Sequence, residues 1–423
     1  MYKAVTSQEA VKVIKSNNRV YVQAAAAAPQ LLIKAMSDRH EELRNVEVCH
    51  LHVEGDAPYA NPEFKDSFHV NSFFIGKNVR HTLKAGNGSY TPVFLSELPL
   101  LFKRNIIDVN VALIHVSVPD RHGYCSLGVS VEATLAAIEN ADTVIAQVNK
   151  QMPRTHGDGI IHVSEIDLFV ECDEPLPTME ATTPSKIEQQ IGDYVASLID
   201  NRSTLQMGIG SIPNAVLTRL TNHKDLGLHT EMFSDGVIDL ILNNVVNGNY
   251  KGINPGRAMS TFLIGSKRLY DYVDDNPFVE MRSSDYTNDV SIIKQNPRMV
   301  AINSAIEVDV TGQVCADSIG SKMYSGVGGQ MDFIRGASLS EEGKAIIALP
   351  SITNKGISRI VPSLNPGAGV VTTRAHVHYI VTEYGIANLY GKTIKERVKA
   401  LVNIAHPDHR EVIDRQYFEL TRG

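Results

Sequence analysis

The chain has 423 residues, 43% of them hydrophobic and 21% charged, with 30 Gly, 18 Pro and no Trp. That is globular composition at a length that ordinarily holds two or three domains, which excludes a disordered or collagen-like chain. Forty basic against 47 acidic residues leave a formal charge of −7, so no global positive field is present to hold nucleic acid or an acidic membrane.

The first ten residues read as the start of an amphipathic helix, with Ser7 and Glu9 at its beginning, and not as a basic segment followed by an apolar block. Val20 to Ala28 is apolar but far shorter than the roughly 20 residues of a bilayer span, so no membrane anchor is expected. Cys49, Cys125, Cys172 and Cys315 are widely separated and contain no C-x-x-C pair. Neither a structural zinc site nor a disulfide framework follows, and a reducing, cytoplasmic location is expected.

Short β-branched runs alternate with amphipathic stretches, as at Val109 to Val116 and Lys344 to Leu349. The rhythm predicts an α/β fold with buried, largely parallel strands. Glu171 to Pro184 carries three prolines and no hydrophobic period, which predicts a linker and two domains, 1–180 and 186–423. Each side repeats one device: a strand, a D-x-x-G turn at Asp120–Gly123 or Asp309–Gly312, and a return strand carrying Cys125 or Cys315. The two glycines are 189 residues apart, which suits duplicated halves; the alternative is that D-x-x-G is simply a common turn.

The chemistry concentrates in the second half. Thr204 to Leu220 reads as strand, glycine turn and helix, followed by Leu226 to Gly236 with its acid, Glu231. Gly208 and Gly210 permit a tight turn and close approach of a ligand, and Pro213 suits a first helical turn, so free amides near Ser211 could face an anion. In a dinucleotide fold Glu231, 23 residues after Gly208, would hold the ribose, but the third glycine of that motif is Pro213 here. In the second reading Glu231 is itself a nucleophile, a carboxylate at a strand end partly stripped of solvent and able to attack a thioester. The bland alternative is a surface glutamate at a turn. A second cluster, Ser325-Gly326-Val327-Gly328-Gly329, favours the nucleophile, because consecutive backbone amides can hold an oxyanion.

The segments Gly208 to Ala215, His229 to Gly236, Ser325 to Phe333 and Thr382 to Leu389, with Pro92 to Glu97 and Gln147 to Gly157, resemble the acetyl-CoA hydrolase/transferase family. Within it they are most similar to the 4-hydroxybutyrate and butyrate CoA-transferases. The resemblance implies a class I CoA-transferase of two similar open α/β domains with the active site in the interdomain cleft. It implies that Glu231 forms an acyl-glutamyl anhydride and then a glutamyl-CoA thioester, with ping-pong exchange of CoA between acetate and butyrate or 4-hydroxybutyrate. The Gly329 amide would serve the oxyanion, and Asn288 would lie near the reacting carboxylate. Gly208, Ile209, Gly210, Ser211, Ile212, Ile306 and Ser325 would contact CoA, which is a substrate; no tightly bound cofactor is implied. A homodimer or dimer of dimers is a further expectation from the family. An acyl-CoA hydrolase on the same fold is the alternative, an NAD(P)-dependent oxidoreductase or a non-catalytic CoA sensor the more distant ones.

Other signals do not amount to a site. Gly385 to Thr393 resembles a P-loop but has five residues between its glycines instead of four. Cys49-His50-Leu51-His52 and His376-Val377-His378 set side chains at period two on a strand face, yet no third ligand cluster accompanies them and no metal is expected. No G-x-S-x-G is present. His406 to Arg410 looks like a family signature and is assigned no chemistry. Lys322, Arg335, Lys355 and Arg359 are candidates for CoA phosphates. The acyl preference, the balance of transfer against hydrolysis and the physiological direction are not encoded in any local motif.

Overall fold

The computed structural model describes residues 2–180 and 182–422. The chain forms two compact units, Met1–Glu180 with Met259–Thr287, and Ala181–Ala258 with Asn288–Gly423. The division differs from the expected 1–180 and 186–423 in that the second unit begins before 186 and residues 259–287 belong with the first unit. Their packing explains this, since Ser284 donates its N–H to Glu132 O at 3.0 Å and Val131 donates to Thr261 O at 2.9 Å. Local periodicity contains no trace of such a return.

In the first unit seven strands form one parallel sheet: β1 (Arg19–Val22), β2 (Val46–His50), β3 (Phe68–Ser72), β4 (Gly88–Tyr90), β5 (Val109–Ser117), β6 (Ala141–Asn149) and β7 (Leu168–Cys172). Their order is β7-β6-β5-β1-β2-β3-β4. Helix α1 (Gln30–Ser37) follows β1 and buries Leu32, Ile33 and Met36 in a core shared with Val20, Val48 and Leu113. Strands covered on both faces need uninterrupted apolar runs, and β5 is buried at nearly every position.

The second unit follows the same plan. Helix α2 (Lys186–Ala196) opens with a capping box in which Ser185 and Glu188 satisfy each other's backbone amides. Then come β8 (Thr204–Met207), α3 (Ser211–Arg219), β9 (Gly227–Leu228), β10 (Met299–Asn303), α4 (Gln330–Leu339), β11 (Lys344–Ala348), β12 (Tyr379–Thr382), β13 (Gly385–Asn388), α5 (Ile394–Ile404) and α6 (Pro407–Thr421). The sheet order is β9-β8-β10-β11-β12-β13, parallel except for the closing β12-β13 pair. Gly192 lets α2 approach α3 closely, because a Cβ there would lie 2.9 Å from the Ala215 carbonyl carbon.

In both sheets the strand order reverses beside the first strand. In the first, β2 to β4 are added on one side of β1 and β5 to β7 on the other; in the second, β9 lies on one side of β8 and β10 to β13 on the other. The D-x-x-G turns agree atom for atom. Asp120 Oδ1 accepts from His122 N (2.8 Å) and Tyr124 N (3.0 Å), and Asp309 Oδ1 accepts from Thr311 N (2.9 Å) and Gln313 N (3.0 Å). Gly123 and Gly312 both take positive φ, 85° and 99°. The strand directly before the second turn is Glu307–Asp309, because the chain leaves β10 at Asn303 and then pairs antiparallel with Val314–Cys315. Two units with one strand plan and one turn geometry fit duplication better than chance recurrence of a turn motif.

Among the described residues, no helix is long and apolar enough to cross a membrane. Asp309 is 2% exposed, whereas the Asp120 side chain is 30% exposed. Removing the acceptor therefore strands buried amides in one turn and partly wet amides in the other. Asp309→Ala is expected to lower stability by about 1–2 kcal/mol and Asp120→Ala by less than about half of that. Midpoints of urea unfolding would check the ordering, and equal losses would refute it.

Candidate functional site

In an open parallel sheet, the point where strand order reverses leaves a crevice at the carboxyl ends of the strands. In the second unit that point lies between β8 and β10. A cavity of about 300 Å³ opens there, lined by Gly208 to Ile212 after β8, by Asn303 and Ser304 after β10, and by Glu188 and Arg359. Gly210 has φ 121°, a conformation only glycine adopts cheaply, and it places Ser211 at the start of α3. Pro213 occupies the third helical position, where no intrahelical N–H partner is required.

The Ser211 side chain at the amino end of α3 is already engaged. The Ser211 hydroxyl donates to the Glu188 carboxylate. Burial opposes ionisation of Glu188, but the hydrogen bonds from Ser211 and Ser185 hold its carboxyl below the ordinary range. A carboxylate of the chain itself thus lies beside the start of α3. Across the cavity Arg359 donates to the Ala305 carbonyl at 3.3 Å, and its loop is clamped by Glu383, which accepts from Ser351 N at 2.9 Å and Ser351 Oγ at 2.6 Å. Of the four basic candidates, Lys322, Arg335 and Lys355 are exposed and none lines this cavity; Arg359 does.

A second group of candidates converges at Glu231. The residue lies between β9 and the two-residue strand Met232–Phe233. Thr230 fixes the segment: its Oγ1 lies 3.1 Å from the Met207 carbonyl and 2.9 Å from the Met232 carbonyl, and accepts from Met207 N at 3.3 Å. One hydroxyl therefore ties the end of β8, just before the glycine turn, to the residues flanking Glu231. Asn288, fully buried, donates from Nδ2 to Glu231 Oε2 at 3.1 Å. A Cβ on Gly329 would fall 1.9 Å from Glu231 Oε2 and 2.2 Å from Asn288 Nδ2, so no other residue fits. Desolvation raises the Glu231 pKa to about 7, against the opposing hydrogen bonds from Asn288 and the Gly329 amide.

Glu231, Asn288 and Gly329 are thus brought together, while Glu231, Ile306 and Ser325 do not line the cavity at the glycine turn. The Ser325 cluster offers fewer open amides than its glycines suggest. Tyr324 N and Ser325 N both donate to the Asp317 carbonyl, at 2.7 and 3.0 Å, and Ile306 N donates to Cys315 O at 2.8 Å. Backbone groups in a packed loop pair with one another before any ligand arrives. Asp332, in the first turn of α4, was not singled out; it sits in the same Gly-Gly-Gln-Met-Asp run, which was the available signal.

The remaining polar signals have structural explanations. Burial lowers the His50 and His52 pKa values to about 4, and His50 Nε2 pairs with the Tyr59 hydroxyl at 3.0 Å. His378 packs on Tyr390 with ring centroids 4.2 Å apart. No group of three or more His, Cys, Asp or Glu suited to a metal ion occurs among the described residues. His406 accepts from Asp408 N and caps α6.

Comparison with known proteins agrees with this architecture. The acetyl-CoA hydrolase/transferase N-terminal domain matches residues 1–180 and the C-terminal domain of the same family matches residues 265–417. A 4-hydroxybutyrate coenzyme A transferase of Clostridium kluyveri is 48% identical, over 98% of this chain and 97% of its own. A succinyl-CoA:acetate/propanoyl-CoA:succinate CoA transferase of Fasciola hepatica is 47% identical, over 98% of this chain and 88% of its own. The crystal structure of RipA from Yersinia pestis superposes with a TM-score of 0.94 at 33% identity, covering 99% of this chain and 98% of that one. By sequence and by fold, the chain belongs to the acetyl-CoA hydrolase/transferase family, among its CoA-transferases.

Proposed function

We propose that the protein exchanges CoA between short-chain carboxylic acids through a covalent intermediate on Glu231. The observation that carries this reading is a carboxylate partly withdrawn from water, with a pKa near 7, that accepts from the Asn288 amide and the Gly329 N–H. A desolvated carboxylate is a better nucleophile than a hydrated one, and two N–H donors can follow the charge as it moves onto the substrate oxygen.

In the proposed sequence a Glu231 oxygen attacks the thioester carbonyl, the C–S bond breaks, and CoA leaves as the thiolate. The product on the enzyme is an acyl-glutamyl anhydride. The thiolate then attacks the glutamyl carbonyl, releasing the first carboxylate and leaving a glutamyl-CoA thioester. A second carboxylate runs the same steps in reverse. One thioester is exchanged for another at nearly constant free energy, so the problem for the protein is excluding water, not supplying energy. Binding the remote part of CoA supplies the attraction that brings the thioester onto Glu231.

The cavity at Gly208 to Ile212 is proposed to take a neutral stretch of CoA. Its volume suits a segment of that molecule, and the Glu188 carboxylate would repel a phosphate at the start of α3. The relatives act, by name, on 4-hydroxybutyrate, acetate, succinate and propanoyl-CoA, so acetate is proposed as one partner and 4-hydroxybutyrate, butyrate or succinate as the other. A homodimer or dimer of dimers in the cytoplasm remains part of the proposal on family grounds.

Incubation with butyryl-CoA followed by borohydride is expected to give a CoA-sized adduct or reductive loss of the Glu231 carboxylate in the wild type, and neither in Glu231→Gln, by intact mass. Free CoA released at an undiminished rate without a carboxylate acceptor would instead mark a hydrolase. Exchange in Glu231→Gln is expected to fall by at least about 10³-fold with CoA binding retained. Gly329→Ala is expected to lose about 10²- to 10³-fold in kcat, since the new methyl displaces the Glu231 carboxylate. Gly208→Ala, whose Cβ meets nothing within 4 Å, is expected to change kcat by less than about tenfold.

The raised pKa fixes the sign of the pH response. The ionised carboxylate attacks, so kcat/KM for acyl-CoA is expected to be constant above pH about 7 and to fall tenfold per unit below it. A limb near the ordinary glutamate range would refute the assignment.

A further inference from the structure

The amide of Asn288 serves two carboxylates. Its Nδ2 lies 3.1 Å from Glu231 Oε2 and 3.4 Å from Asp332 Oδ2, while its own Oδ1 is buried and meets no donor among the described residues. Both Asn288 and Asp332 are buried, at 0% and 5% exposure. A side-chain amide has one donor end and one acceptor end. Turned over, Asn288 would set its carbonyl oxygen against two acidic groups in a site screened from water.

Glu231 alone cannot keep the amide oriented through the cycle proposed for it. Once its oxygen carries an acyl group, or its carbonyl carbon carries the CoA sulfur, the group is neutral and is a weaker acceptor than the free carboxylate. Asp332 does not react and its acceptor persists. We propose that Asp332 is a positioning residue whose carboxylate holds the donor edge of Asn288 toward Glu231 in both the free and the acylated states. The inference rests on the reading of Glu231 as the nucleophile. A purely structural role is the competing explanation, because a carboxylate in the first turn of α4 also favours the helix terminus.

A double-mutant cycle separates the two. Wild type, Asp332→Asn, Asn288→Ala and the double variant are compared in butyryl-CoA:acetate exchange, together with the yield of glutamyl-CoA adduct by intact mass. Asp332→Asn is expected to lower kcat about tenfold or more with KM for butyryl-CoA within about twofold, and to cost less than about twofold further in the Asn288→Ala background. A kcat within twofold of wild type, or the same factor lost in both backgrounds, overturns the proposal. If Asp332→Asn does not fold, Asp332→Ser takes its place in the cycle. Failure of both to fold makes the carboxylate a folding element and likewise overturns it. Absence of the adduct in the wild type is a different signature: it overturns the nucleophile assignment, and this inference with it.

Discussion

The second unit holds a half-buried carboxylate, Glu231, whose desolvation is offset by hydrogen bonds from Asn288 and the Gly329 amide. Full solvation would leave Glu231 an ordinary, weakly nucleophilic acid; full desolvation without partners would leave it protonated. The Asn288 amide and the Gly329 N–H set the balance between these limits, and a pKa near 7 is the result. Other features follow from holding that balance. Gly329 must be glycine because the donor has to approach within contact of the acceptor. Thr230 ties the segment carrying Glu231 to the end of β8, so the carboxylate is held by the sheet and not by a loose turn.

The site inherits its place from the strand plan. Strands of a parallel sheet end on one edge, and where neighbours diverge in their connections no helix or loop fills the gap. Gly208 follows β8 and Asn303 ends β10, the two strands on either side of that divergence. The first unit has the same reversal between β1 and β5, where Gln23, directly after β1, accepts from His115 N and donates to the Leu127 and Ser130 carbonyls. At this place the first unit carries a glutamine that bonds three neighbouring backbone groups, whereas the second unit has a cavity.

Much of this was legible in the sequence because it is written in contiguous runs. The alternation of β-branched and amphipathic segments gave the parallel sheets, and the D-x-x-G pair gave the repeat, since an aspartate that caps its own turn needs no distant partner. Glu231 and Gly329 stood out because acid and glycine sit in short motifs at strand ends. What could not be read depended on pairing across distance. Asp332 meets Asn288 from 44 residues away. Glu188 reaches Ser211 from the preceding helix, and the carbonyl of Asp317 takes the Ser325 amide that the glycine cluster seemed to offer. Composition cannot tell an open N–H from one already bonded. The return of residues 259–287 to the first unit was invisible for the same reason.

That return has a genetic consequence. The chain passes between its compact units three times, near residues 180, 258 and 287, so neither unit corresponds to one uninterrupted stretch of coding sequence. Cutting the gene at the linker would yield a first half without the segment that pairs with Glu132 and Val131, and a second half carrying that segment unpaired. Two genes encoding the halves separately would have to make that pairing between chains.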